Sequence, residues 1–287
     1  MQLHFSMDHL PEIPAPVVTV GSFDGVHAGH RTIINRLNCL AGHSGGASVL
    51  LTFDPHPRKV LYPDTDGKDL RLISSRDEKC LLLEDAGLDH LVIMPFTPGF
   101  ARTPSDVFVK DYLLGRLRAH TIVVGFNHFF GHNREGNYDL LYRMSRERGF
   151  ELEEIPEQEI QNETVSSTKI RRALREGNIQ RANAYLLHHY IVLGELLGDS
   201  EKARLIHEDQ NKLFPPEGLY ALSLPRNGAT SKLLGIISAE GLSLLHPEGG
   251  LPRKGSALLR FHKRLEGLPA DPADRAAALK TIEELIY

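Results

Sequence analysis

Short apolar runs alternate with amphipathic stretches over the first two-thirds of the chain. Each run is almost continuously Val, Ile, Leu or Phe, which is typical of a strand buried on both faces of a parallel sheet. The predicted strands cover residues 17–23, 47–53, 90–96, 121–126 and 150–155. Strands that alternate with helices predict a doubly wound α/β domain, which we place at residues 1–186.

Helix start signals occupy the segments between these strands. They are a capping box of Ser75 and Glu78, an N-cap followed by proline at Thr103-Pro104, and an Asn137 N-cap. The helix that starts at Asn137 is expected to end at Gly149.

Beyond about residue 187 the pattern changes to short strands separated by Gly, Pro and polar turns. These predicted strands cover residues 190–197, 218–224, 232–237, 242–245 and 256–261. We expect a small β-barrel or sandwich domain at residues 187–287, with a C-terminal helix that begins near residue 271.

Composition excludes several classes of protein. The 287 residues are 41% hydrophobic, and the net charge is −4, so no basic excess points to nucleic acid. The two cysteines form neither a disulfide framework nor a zinc spacing. No apolar stretch has the length of a signal peptide core or a membrane span. We therefore expect a cytoplasmic protein without nucleic-acid or membrane partners; its oligomeric state is left open.

The strongest motif lies where the first long strand gives way to a helix. It spans residues 21–30 and carries His27 and His30, which can share one face of the first helical turn. Free N–H groups and the positive end of the dipole make a helix start suitable for phosphate. Two imidazoles there can hydrogen-bond phosphoryl oxygens on which charge develops. The other candidate nucleotide- and phosphate-binding residues of this turn are Gly21, Phe23, Asp24, Gly25 and Gly29.

Other interpretations of this turn exist. His27 and His30 have the spacing of half a metal site, but no C-x-x-C or H-E-x-x-H supplies further ligands, so we predict no protein-bound metal. The glycines also suit a purely structural turn. The spacing is neither G-x-G-x-x-G nor that of a Walker P-loop.

A second motif precedes a predicted helix that ends near Gly177. Three hydroxyl residues are followed by bases, a suitable arrangement for the outer phosphates of a nucleotide. The candidate triphosphate ligands are Ser166, Ser167, Thr168 and Arg171. An ordinary serine N-cap with surface bases is the alternative.

Two further loops follow predicted strands and are expected at the same edge of the sheet. The first contains His56, Pro57 and Arg58, and the second contains Phe126 and Asn127. Arginines here can screen phosphate charge, and aromatic rings can stack on a ligand.

Together the blocks 21–30, 52–58, 125–136 and 165–171 resemble the prokaryotic bifunctional riboflavin kinase/FMN adenylyltransferase (FAD synthetase) family. The resemblance implies a Rossmann-like domain that transfers AMP from ATP to FMN with Mg²⁺, forming FAD and pyrophosphate. By it, His27 and His30 stabilise the transferred group, and Asn127 helps to hold ATP. The hydroxyl block would bind the triphosphate. The flavin would lie near His56, Pro57, Arg58 and Phe126.

The second half of the chain departs from this family. The family's kinase barrel carries a glycine-rich flap and a G-F-P-T-A-N segment, but residues 194–207 contain no P-T-A-N. Residues 215–221 still resemble the family's P-x-G-V-Y-A strand. Glu240 and Glu248 lie in no recognisable catalytic context. We therefore expect the barrel to persist as a fold while riboflavin kinase activity is lost.

Three alternatives stay open at this point. The histidine turn permits another nucleotidyltransferase, charging pantetheine phosphate, nicotinamide mononucleotide or glycerol phosphate. A non-catalytic paralogue would bind flavin or nucleotide without turnover. A fully bifunctional enzyme would use substitute kinase residues.

Overall fold

The computed structural model describes residues 1–126, 128–156, 159–160, 163–199, 201–226, 229–246 and 251–265. The backbone divides into two compact units, one formed by Met1–Leu70 with Lys79–Thr164 and the other by Arg71–Glu78 with the chain from Val165 onwards. This division places residues 165–186 with the second unit, whereas the sequence-based boundary lies after residue 186. That boundary stays a prediction.

The first unit is built on a six-stranded, wholly parallel sheet in the order β1-β4-β3-β2-β5-β6. Its strands are β1 Gln2–His4, β2 Val17–Val20, β3 Ser48–Asp54, β4 His90–Pro95, β5 Thr121–Gly125 and β6 Glu151–Ile155. The helices are α1 Ala28–Ser44, α2 Pro57–Leu61, α3 Arg76–Asp85, α4 Ser105–Val107, which continues as π-helix over Phe108–Arg116, and α5 Tyr138–Arg148. A two-stranded ribbon follows, with β7 Glu159–Ile160 and β8 Glu163–Thr164.

The strand order places a topological switch between β2 and β5. From β2 the chain adds β3 and then β4 on one side, and it returns to pair β5 with the opposite side of β2. Crossovers that diverge at this point leave a crevice outside the carboxyl ends of the two strands, where open α/β sheets bind ligands. The five predicted strands are confirmed, although β2 ends at Val20 instead of residue 23 because a tight turn begins there.

The helix boundaries follow the predicted caps closely. The Asn137 side chain accepts a hydrogen bond from the Leu140 N–H at 3.0 Å, and α5 ends at Gly149 with φ of 78°. In the capping box, Ser75 N–H donates to Glu78 Oε2 at 2.8 Å and Glu78 N–H donates to Ser75 Oγ at 3.3 Å. The helix after Thr103 starts one residue later than predicted, because Pro104 itself occupies the N-cap.

The second unit contains a closed antiparallel barrel in the order β10-β13-β12-β11-β14-β9. Its strands are β9 Tyr190–Gly198, β10 Lys202–Ile206, β11 Gly218–Arg226, β12 Ala229–Ser238, β13 Gly241–Leu245 and β14 Lys254–Leu265, preceded by helices α6 Ser167–Arg175 and α7 Ile179–Leu186. The five predicted strands are present, and β10 is an additional strand. The predicted C-terminal helix and Glu248 lie outside the described residues.

A buried ion pair fixes the segment 71–78 within this second unit. The ammonium of Lys212 binds Glu78 Oε2, and both side chains are fully buried. Lys212 also donates to the carbonyls of Ile73 at 2.7 Å and Ile191 at 2.8 Å, while Glu78 Oε1 accepts from Leu193 N–H at 2.9 Å. A buried charge pair is tolerable only when its remaining hydrogen-bonding capacity is used, as it is here.

Candidate active site

The turn after β2 is held in a strained backbone conformation. Phe23 and Val26 have positive φ values of 46° and 42°, and Gly25 lies between them at 84°. A non-glycine residue in such a region costs about 1–3 kcal/mol, and a β-branched residue there is rare. The side chains of Phe23 and Val26 are 3% and 0% exposed, so core packing holds the turn in place. Strain of this kind concentrates at functional sites.

The turn brings the two histidines of the first motif together. His27 occupies the N-cap of α1 in an extended conformation, and His30 lies one turn further along. Their rings stack with centroids 3.7 Å apart and planes 15° apart. Phe23 also stacks on His30, with ring centroids 4.4 Å apart. The three rings therefore form one stack at the start of the helix.

The electrostatic environment keeps His30 neutral. Burial, with smaller contributions from His27 and Lys79, lowers the pKa of His30 well below its usual 6.5. Its buried Nδ1 has no hydrogen-bond partner among the residues that the structure describes. A neutral imidazole presents one donor and one acceptor. An anion bound beside it would favour protonation and raise its pKa again.

Lys79 is a member of this cluster that the sequence analysis did not single out. It lies on α3 and is partly buried, and burial lowers the pKa of its ammonium group while Asp24 and Asp54 act in the opposite direction. Asp24, from the histidine turn, is itself 2% exposed. The available signal was the position of Lys79 directly after the capping-box Glu78, in the helix that follows β3. A single lysine that belongs to no spaced motif does not by itself indicate a functional site.

Two adjoining cavities open at the switch point. The polar cavity has a volume of about 650 Å³ and is lined by groups that include His30, Arg58, Asp66 and Phe126. The aromatic cavity, of about 230 Å³, has among its lining residues Phe53, Phe96, Phe100, Phe108 and Phe130. The lining residues common to both cavities are Val20, Gly21, Leu61, His128, Phe129 and Arg134.

The candidate flavin residues divide between these cavities. Pro57 lines the aromatic cavity, whereas Arg58 and Phe126 line the polar cavity. His56 lines neither, since it caps α2 by accepting a hydrogen bond from Arg58 N–H at 3.2 Å. Asn127 lies outside the described residues. His128, which the sequence analysis did not select, lines both cavities.

The hydroxyl block lies in the second unit and has local structural roles there. Ser166 is the N-cap of α6, and its hydroxyl accepts from Lys169 N–H at 3.4 Å. Arg171 is 6% exposed, and its Nε donates to the Arg71 carbonyl at 2.9 Å. Ser167 is partly buried and Thr168 is exposed. A role for these four residues in binding a triphosphate stays a prediction.

Within the described parts of the chain, no group of three His, Cys, Asp or Glu side chains is arranged to hold a metal ion. Over the same residues, no helix is long and apolar enough to cross a membrane.

Comparison with known proteins decides the family. The model of the FAD synthetase family matches residues 11–169, which include the strained turn and its histidines. The chain belongs to the FAD synthetase family.

Two kinds of curated relative share most of the chain. A bifunctional riboflavin kinase/FMN adenylyltransferase of Listeria monocytogenes is 30% identical over 262 residues, covering 89% of this chain and 81% of the relative. The enzyme of the same name from Escherichia coli K12 is 29% identical over 78% of this chain and 73% of its own length. A protein of Listeria monocytogenes named FAD synthetase is 30% identical over 83% of this chain and 93% of its own length.

Among solved structures, a protein of Streptococcus pneumoniae described as a macrolide-efflux protein has a TM-score of 0.84 to this chain. The match covers 99% of this chain and 97% of that one, at 22% sequence identity. At this identity the likeness shows the shared fold alone.

The environment of His30 leads to a prediction for its titration. We expect its ring resonances, followed by NMR in the free protein, to titrate with a midpoint well below 6.5. Burial opposes protonation of the ring, and so does positive charge on the neighbouring His27 and Lys79. Replacing Lys79 by Met should move the midpoint upwards, since one source of positive charge is removed. A midpoint at or above 6.5 in the unliganded protein would contradict the described environment.

Proposed function

We propose that this protein makes FAD by transferring the adenylyl group of ATP to FMN. One observation carries the proposal: His30, which stacks on His27 at a strained helix start, lines a polar cavity that shares a wall with an aromatic cavity. The polar cavity suits a nucleotide and its phosphates. The aromatic cavity suits a planar heteroaromatic ring. Membership of the FAD synthetase family supports the same pair of substrates.

The aromatic cavity is proposed to take the ring system of FMN. Phe53, Phe96 and Phe100 contact one another at centroid distances of 5.3–5.6 Å, two of the three contacts being edge-on. Such clusters bury large apolar area and accept a further ring in a stacked or edge-on arrangement. The FMN phosphate would then point towards the shared wall at Gly21, with Arg58 available in the adjoining polar cavity.

The proposed reaction needs no protein nucleophile. An oxygen of the FMN phosphate attacks the α-phosphorus of ATP, the bond to the bridging oxygen breaks, and pyrophosphate leaves with the electron pair. Catalysis then consists of positioning the two phosphates and stabilising the charge that develops between them. An N–H of His27 and one of His30 would bind the non-bridging oxygens at the α-phosphorus. The Lys79 ammonium would add positive charge nearby.

Mg²⁺ is proposed to arrive with ATP, because this ion binds few protein ligands and keeps phosphate and water oxygens around it. When bound, it neutralises phosphate charge. Asn127 is proposed to help hold ATP, and Ser166, Ser167, Thr168 and Arg171 to bind its outer phosphates.

We also propose that the barrel has no riboflavin kinase activity. Two glycines in the segment that departs from the kinase pattern serve strand packing. A Cβ at Gly194 would lie 2.5 Å from the Ile206 carbonyl oxygen, and one at Gly198 would lie 2.5 Å from Ala203 Cα. These glycines allow β9 and β10 to approach each other closely. Strand packing therefore explains both glycines without a phosphate-binding flap.

The direct test is product formation from each flavin. Purified protein is incubated with ATP and Mg²⁺ and with either FMN or riboflavin, and the flavins are separated chromatographically. We expect FAD from FMN and no phosphorylated product from riboflavin. FMN or FAD from riboflavin would overturn the proposed kinase loss. Absence of FAD from FMN, with ATP still bound, would instead favour a non-catalytic nucleotide-binding protein.

Two glycines of α1, Gly29 and Gly42, allow an effect on ligand binding to be distinguished from an effect on stability. A Cβ at Gly29 would make only ordinary contacts, 3.5 Å from the His27 ring, so the unliganded fold has room for alanine there. We expect Gly29→Ala to keep or raise the melting temperature, because alanine favours helix by up to about 1 kcal/mol. The same Cβ should obstruct close approach of ATP to the helix start. KM for ATP should therefore rise at least about tenfold, equivalent to 1.4 kcal/mol.

Gly42→Ala is the matched control, because it lies in the same helix with no atom within 4 Å of its Cβ position. It should stabilise the helix and leave KM for ATP unchanged. An unchanged KM in Gly29→Ala would show that no ligand approaches the helix start closely.

A further inference from the structure

His128 lies in the wall that the two cavities share. His128 follows β5, and its backbone N–H donates to the Gly125 carbonyl at 3.1 Å. Its ring stacks on Phe130 with centroids 5.8 Å apart and planes 25° apart. The same side chain lines both the polar and the aromatic cavity. The residue is thus oriented by packing before any ligand arrives.

The imidazole of His128 is available to a ligand. In the described part of the chain, burial is the cause of its pKa shift and no side-chain hydrogen bond contributes to that shift. Burial lowers the pKa of His128 to about 4, so the ring is neutral near pH 7 and offers one N–H donor and one acceptor nitrogen. Among the described residues that line the aromatic cavity, six are phenylalanines, and the guanidinium of Arg134 lies over the Phe129 ring at 4.7 Å.

A flavin ring has two chemically different edges. The dimethylbenzene edge is apolar, whereas the pyrimidine edge alternates carbonyl acceptors with an N–H donor. Through one of its nitrogens a neutral imidazole can either donate to one of those carbonyls or accept from that N–H, whereas a phenylalanine ring can do neither. A site that hydrogen-bonds its ligand discriminates against analogues lacking the matching group, because buried polar atoms are then left unpaired.

We propose that His128 is a specificity-determining residue that hydrogen-bonds the pyrimidine edge of the flavin substrate and so sets the orientation of its ring. This inference rests on the proposed function. It assigns His128 to binding and orientation, and it leaves the phosphoryl chemistry with the histidine pair of α1.

The test measures KM and kcat for three substrates with two enzymes, the wild type and His128→Phe. The variant keeps an aromatic ring against Phe130, but that ring contains no nitrogen. The substrates are FMN, N3-methyl-FMN, altered at the pyrimidine edge, and an FMN lacking both ring methyl groups, altered at the other edge. In wild type, N3-methylation should raise KM by roughly threefold to tenfold, the range for one hydrogen bond. In His128→Phe, KM for FMN should rise by a similar factor with kcat little changed. In this variant the increase in KM caused by N3-methylation should largely disappear. The effect on KM of removing the two ring methyl groups should be the same in the variant as in the wild type.

Two controls complete the design. His128→Gln, which restores a donor and an acceptor, should recover part of the selectivity, and it replaces the Phe variant should that one not fold. His43→Phe changes an exposed histidine at the end of α1 and should behave as wild type.

An undiminished N3-methyl penalty in both His128 variants would overturn the proposal while FAD synthesis itself stands. Failure of wild type to make FAD would instead reject the proposed function, and the two failures are therefore distinguishable.

Discussion

The backbone turn between β2 and α1 is the constraint on which the candidate site depends. A parallel sheet needs long crossovers, and the switch between β2 and β5 leaves a crevice at their carboxyl ends. The chain enters α1 there through three residues with positive φ. A relaxed turn would let the helix begin elsewhere, and the imidazoles would no longer stack at its start. The buried side chains of Phe23 and Val26 offset the strain, so the sheet core and the site stabilise each other.

Much of the fold could be predicted because its signals are local. Continuous apolar runs marked the central strands, and asparagine, serine and glycine marked the helix ends. β1 was not predicted, because its three residues are too few to show a periodic pattern of hydrophobic positions. β10 has the alternating exposed and buried pattern of a regular strand, but its five residues lie in the segment that departs from the kinase pattern, and no strand was predicted for them. The segment 71–78 contacts the barrel region through residues distant in sequence, among them the ion pair between Glu78 and Lys212, which lie 134 positions apart, and no local pattern shows such a contact.

The candidate site divides in the same way. The spacing of His27 and His30 predicted a shared face, and the structure places their rings in contact. The aromatic cavity is assembled from phenylalanines on several separate segments, each of which alone resembles ordinary core. Lys79 and His128 stand out only through burial and cavity position. Sequence patterns thus predicted the histidine turn, which we propose as the phosphate end of the site, whereas the proposed flavin end is visible only in the three-dimensional packing.

The central claim, that the stacked histidines form the adenylyl-transfer centre, is tested most directly by kcat for FAD formation in the double variant His27→Phe/His30→Phe. Phenylalanine retains a ring stack with Phe23 but supplies no N–H, so stability is largely kept while charge stabilisation is lost. Removing one such donor from comparable sites costs about 10²–10³ in kcat, and we expect a loss of at least that size with the thermal unfolding temperature maintained. A folded double variant that makes FAD at the wild-type rate would contradict this account.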